Sequence, residues 1–202
     1  RGITTLVLAL QRAGLAYNFL DLSILMNSPR ALNYLIKMVP ESDERTNLLL
    51  FLEGFKRGKV LDPSKLKDTF GGIGGRMFMF GTGVFGKITS SYNPDLVLFD
   101  AIRQNKIVYT MLPVLGKDVA AINFAKMLVA DLRSAAARIQ KLPFEQKPNP
   151  AFLGLLDEAG AYTNMSWARA YEQFRSAQIA LVAAMQTFAN TDAVSPELTE
   201  MM

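Results

Sequence analysis

Residues 152–162 read Phe-Leu-Gly-Leu-Leu-Asp-Glu-Ala-Gly-Ala-Tyr, an uncharged run that stops at two adjacent carboxylates. A short apolar run of this kind, ended by a turn, predicts a buried strand. The next segment, Met165–Ser176, suits a short helix, and Ile179-Ala-Leu-Val-Ala-Ala-Met185 reads as a second buried strand with Gln186 at its C-terminal end. Two parallel strands joined by a helix set Asp157, Glu158 and Gln186 on one edge of one sheet. That is the edge where open α/β folds bind ligands.

Two carboxylates in that position suit a Walker B strand. The Asp at the strand's end holds the Mg²⁺ of a nucleotide, and the Glu after it polarises the attacking water. The alternative is a buried strand that surfaces at an acidic turn. Composition narrows the chemistry. The 202 residues contain no histidine and no cysteine, which excludes imidazole bases, thiolate nucleophiles, disulfides and the usual zinc sites. Catalysis has to rest on carboxylates, Arg, Lys and amides. Half of the residues are hydrophobic, enough for a substantial core, yet no apolar run approaches the roughly 20 residues that span a bilayer. The start, Arg-Gly-Ile-Thr-Thr, has neither an initiator Met nor a signal-peptide layout, and Ser195–Met202 reads as the beginning of a helix. A piece of a longer protein is expected, itself soluble.

The first 95 residues predict an all-helical domain. Ser28-Pro29 is an N-cap followed by a first-turn proline, opening a helix over Pro29–Met38, and Asp62-Pro63 repeats the device before Ser64–Phe80. Asp43–Lys56 carries a helical stripe of Leu48, Leu49, Phe51, Leu52 and Phe55 that ends near Gly58. Ile3–Gln11 is a further helix, although its Thr-Thr-Leu-Val core also allows a strand. After Asn93-Pro94 the pattern changes, and residues 96–202 predict a parallel α/β unit. Asp95–Arg103 reads as a short helix or turn, Lys106-Ile-Val-Tyr-Thr-Met-Leu112 as a buried strand, Asp118–Gln140 as a long helix, and Leu142–Pro150 as a surface connection to the Asp-Glu strand.

The first 95 residues carry the whole net charge of +4. Its densest part is Lys56, Arg57, Lys59, Lys65 and Lys67, which either contacts nucleic-acid phosphates or forms a solvated face balanced by Glu53, Asp62 and Asp68. Gly81-Thr-Gly-Val-Phe-Gly86-Lys87 satisfies the phosphate-loop pattern G-x-x-x-x-G-K, but Ile88 occupies the position that must offer a hydroxyl to Mg²⁺, with Thr89 one place late. The segment is read as a glycine-rich helix exit and loop.

The chain resembles the type IV secretion and conjugation coupling proteins of the TraD/TraG type. The resemblance is carried by the Lys106–Pro113 segment, the long helix after it, Phe152–Tyr162, and above all Phe174-Arg-Ser-Ala-Gln-Ile-Ala-Leu-Val-Ala-Ala-Met-Gln186. It implies an α/β fold, part of a RecA-like parallel sheet of the P-loop NTPase type, with an inserted all-helical domain. It implies ATP and Mg²⁺ as ligands, with Asp157 helping to hold Mg²⁺, Glu158 as catalytic carboxylate, Gln186 sensing the γ-phosphate, and Arg175 as a finger reaching the neighbouring subunit's nucleotide. A structural alternative for Arg175 is a helix-end pair with Glu172. The family's phosphate loop lies upstream of the helical insertion and its membrane anchor further upstream. The implied setting is a hexameric motor at the cytoplasmic face of the bacterial inner membrane. There it passes DNA or DNA–protein substrates from relaxosome or effector proteins to a secretion channel. A DNA translocase of the FtsK/HerA kind and a non-catalytic cargo-docking piece are the alternatives.

Overall fold

The computed structural model describes residues 2–112, 119–163, 166–192, 194 and 196, with the backbone alone at 84, 166, 168–170, 172 and 190. The chain divides into two compact units, residues 1–94 and 95–202. The expected helix start at Ser195–Met202 lies almost wholly outside the described residues, as do Pro113, Asp118 and Met165 at the ends of their elements.

In the first unit, helices α1 (Gly2–Arg12), α2 (Phe19–Asn27), α3 (Pro29–Met38) and α4 (Asp43–Glu53) precede a two-stranded hairpin, β1 (Lys56–Arg57) and β2 (Val60–Leu61). Helices α5 (Pro63–Gly81) and α6 (Gly83–Thr89) complete it. Most starts are written in the side chains. Ser28 Oγ accepts from the Ala31 amide at 3.3 Å and Asp62 Oδ1 from the Ser64 amide at 2.9 Å, satisfying donors that a helix cannot satisfy itself. The Thr-Thr-Leu-Val stretch is helical, because Leu6, Ala9 and Leu10 fall on one buried face. Helix α4 stops at Glu53, short of Gly58. Its chain turns into the hairpin, where Gly58 takes a φ of +65° that a side chain would resist.

Helix α2 has no counterpart among the elements expected from sequence. Asn18 caps it reciprocally: its Oδ1 accepts from the Leu20 and Asp21 amides while Asp21 Oδ2 accepts from the Asn18 amide at 2.9 Å. α2 packs closely on α5. A Cβ on Gly81 would lie 2.7 Å from the Leu20 backbone nitrogen, and Ser23 Oγ donates to the Gly74 carbonyl at 2.9 Å.

The second unit contains α7 (Leu98–Arg103), α8 (Val119–Gln140), β3 (Phe152–Leu156), α9 (Ser166–Ser176), β4 (Ile179–Ala183) and α10 (Ala189–Asp192). β3 and β4 pair in parallel, Phe152 opposite Ile179 and Leu156 opposite Ala183. One face packs on α8 and α9 through Leu132, Ala136, Phe174 and Ile179. The other carries Leu153, Leu155 and Val182 exposed, Leu155 by 70%. The two strands are therefore half-buried rather than buried, since the described helices cover one face only.

A second expectation fails outright. Lys106–Leu112 forms no strand, and Ile107, Tyr109 and Met111 are 98%, 86% and 81% exposed. An apolar run becomes a buried strand only by pairing with a sheet edge and lying between layers. Among the described residues the only ladders are β1 with β2 and β3 with β4.

Candidate functional site

The C-terminal ends of β3 and β4 bring three of the sequence-predicted residues together. The ladder runs on past the strands, with the Ala184 amide donating to the Leu156 carbonyl at 2.8 Å and the Ala159 amide to the Ala184 carbonyl at 2.9 Å. Asp157 and Glu158 fill the turn between those bonds. Gln186 lies just beyond β4, and its Nε2 donates to Glu158 Oε1 at 2.9 Å. The acidic edge and the amide expected beside it thus touch.

The turn is built tightly. Glu158 has φ +51° and ψ +35°, the left-handed region, which costs a non-glycine residue about 1–2 kcal/mol. Asp157 Oδ1 accepts from the Glu158 amide at 2.9 Å. Tyr162, buried at 6% exposure, donates its hydroxyl to the Asp157 carbonyl at 2.7 Å, and its ring meets Trp167 at 5.8 Å between centroids. Burial first, then the charges of Asp157 and Glu158, push the Tyr162 hydroxyl up to about 12, so it remains a donor at neutral pH. Sequence reasoning missed Tyr162. Its only signal was an aromatic residue closing the Asp-Glu-Ala-Gly-Ala-Tyr turn.

Asp157 is exposed. One of its oxygens serves the Glu158 amide, and among the described residues the other has no hydrogen-bond donor. Mg²⁺ is commonly held by one or two carboxylates together with substrate phosphates, and the Asp157–Glu158 edge fits that half of a Mg-nucleotide site. Among the described residues no cluster of three or more acidic ligands forms.

Arg175 stands elsewhere. It ends α9 just before β4, at the strands' N-terminal ends, whereas Asp157 lies past their C-terminal ends. Five residues of strand separate these ends by about 13 Å. Arg175 is exposed, and within its own chain it is not part of the acidic edge. The side chain of Glu172, its alternative partner, lies outside the described residues.

The glycine-rich Gly81–Lys87 segment is a corner between two helices. A helix precedes it where a phosphate loop needs a strand. After Gly81 the chain enters α6 and not the expected loop, because Gly83 at φ +64° reverses the chain and lets a helix restart. Thr89 spends its hydroxyl on the Phe80 and Phe85 carbonyls at 2.6 and 3.0 Å.

The basic cluster centres on the hairpin, and its members differ. Lys56 pairs with Glu53. Lys65 Nζ donates to the Lys56 carbonyl at 2.9 Å and to the Gly54 carbonyl at 3.4 Å, bracing the hairpin. Arg57, Lys59 and Lys67 are exposed.

Comparison with protein-family models, with curated proteins and with solved structures finds no match. Among the described residues no helix is long and apolar enough to cross a membrane.

Proposed function

We propose that residues 95–202 form the Walker B part of a RecA-like ATPase domain, and that the chain belongs to the motor of a conjugative or type IV secretion coupling protein. In this reading the helical unit is the inserted domain, and the motor is a hexamer at the cytoplasmic face of the inner membrane. ATP hydrolysis drives transfer of DNA or DNA–protein substrates to a secretion channel.

One observation carries the reading: a parallel strand pair whose C-terminal edge holds Asp157 and Glu158, with Gln186 hydrogen-bonded to Glu158 at 2.9 Å. Asp157 would hold Mg²⁺, which when bound neutralises charge on the phosphates. Glu158 accepts a proton from, or orients, the attacking water. Gln186, already on the Glu158 carboxylate, is placed to couple that carboxylate to an occupied site. The reading also needs a phosphate-cradling loop; no G-x-x-x-x-G-K-[ST] occurs in residues 1–202.

Glu158→Gln in the longer protein that this reading implies is the test. The amide keeps the side chain's shape but cannot take the proton, so nucleotide binding should persist while turnover falls by about two to four orders of magnitude. Near-normal hydrolysis would return Asp157-Glu158 to an acidic turn that ends a strand.

A further inference from the structure

We propose that Tyr162 is a positioning residue that pins the Asp157–Glu158 peptide and so holds Glu158 in its left-handed conformation, with its carboxylate toward Gln186. The φ of Glu158 sets the angle between the peptide plane before it and its own Cα–C bond, and its ψ links that bond to the plane after it. Both planes are tethered. In the plane before Glu158, the carbonyl oxygen receives the Tyr162 hydroxyl at 2.7 Å and the amide donates to Asp157 Oδ1 at 2.9 Å. In the plane after it, the Ala159 amide donates to the Ala184 carbonyl at 2.9 Å and the Glu158 carbonyl receives the Ala161 amide at 3.0 Å.

Three of these four tethers come from the turn and its neighbouring strand. The fourth comes from a side chain anchored in the core, since Tyr162 packs with Trp167, Val129 and Ala159. A glutamate in the left-handed region persists only where its surroundings over-determine it. Tyr162 is the one tether that can be removed without touching the backbone or the acidic residues.

The conformation of Glu158 can be read without any activity, whereas its bearing on hydrolysis rests on the function proposed above. The first measurement uses the 202-residue chain, isotope-labelled, and reads the Glu158 backbone from its HN–Hα coupling and carbon shifts. Tyr162→Phe keeps the ring and removes the hydroxyl. Glu158 should then leave the left-handed region or average between conformers. Retention of both the wild-type coupling and the wild-type carbon shifts would overturn the proposal.

The second measurement is a double-mutant cycle in urea. Glycine adopts the left-handed region without cost, so the loss in folding equilibrium constant caused by Tyr162→Phe should shrink severalfold in a Glu158→Gly background. An equal loss in both backgrounds would overturn the proposal. If Tyr162→Phe alone unfolds the chain, a folded Glu158→Gly/Tyr162→Phe chain supports the pin and an unfolded one refutes it.

The third measurement is made in the hydrolysing protein. Tyr162→Phe should lower kcat by about tenfold or more, leaving KM for ATP within about twofold. Should Glu158→Gln hydrolyse ATP normally, the functional reading falls, while the coupling and the cycle still decide the role of Tyr162.

Discussion

Helix α5 contains glycines that look alike in sequence and should respond oppositely to the same substitution. At Gly81 an alanine Cβ would lie 2.7 Å from the Leu20 nitrogen and 2.8 Å from the Leu20 Cα. These are backbone atoms at the first turn of α2, held by the Asn18 cap, so they cannot swing aside as a side-chain tip would. Relief requires α2 and α5 to separate, and overpacking of this sort costs about 1–3 kcal/mol. At Gly72 and Gly75, apart from the neighbouring residues and the backbone of α5 itself, nothing among the described residues lies within 4 Å of the added carbon. There alanine only restricts the unfolded chain and favours the helix, a gain of about 0.5–1 kcal/mol each. Urea unfolding monitored by far-ultraviolet circular dichroism separates the two. With a slope of about 1–3 kcal/mol per molar, Gly81→Ala should lower the midpoint by about 1 M, and Gly72→Ala should raise it by a few tenths. A Gly81→Ala chain as stable as wild type would refute the close approach of α2 and α5.

The same geometry gives further expectations. The Tyr162 hydroxyl is raised to about 12 in the fold, against about 10 in the unfolded chain. The fold therefore holds a proton that the unfolded chain has released, and the associated stability is full below about pH 10 and declines as pH rises toward 12. Tyr162→Phe should blunt that alkaline loss in unfolding experiments, and an unchanged alkaline limb would remove the assignment. If the hairpin meets DNA, Arg57→Glu with Lys59→Glu should weaken binding and flatten its salt dependence by up to about 2 in logarithmic slope. Unchanged affinity and slope would leave a solvated face. In the hexamer proposed, Arg175 acts in trans. Subunits with Arg175→Ala mixed with Glu158→Gln subunits should then regain partial activity, arginine fingers contributing about 10³–10⁵ in rate. Verified mixed assemblies as inactive as either parent would count against that role.

Local signals settled the local elements. Ser28-Pro29 and Asp62-Pro63 start helices because a side-chain oxygen and a proline satisfy or remove amides that the first turn leaves bare. Asp157, Glu158 and Gln186 were legible as a group because a strand–helix–strand order favours parallel pairing, and once β3 and β4 pair, their C-terminal ends lie side by side. What the residues could not announce depends on partners distant in the chain. Whether Lys106–Leu112 becomes a strand is decided by an available sheet edge, and whether β3 and β4 are buried by how many layers cover them. The left-handed turn at Glu158 is decided by a hydroxyl four residues on, brought to the Asp157 carbonyl by the packing of Tyr162 against Trp167. Caps and periodicity act within a few residues, so a sequence displays them. Burial, sheet pairing and a strained torsion are settled by surfaces that meet only when the chain has folded.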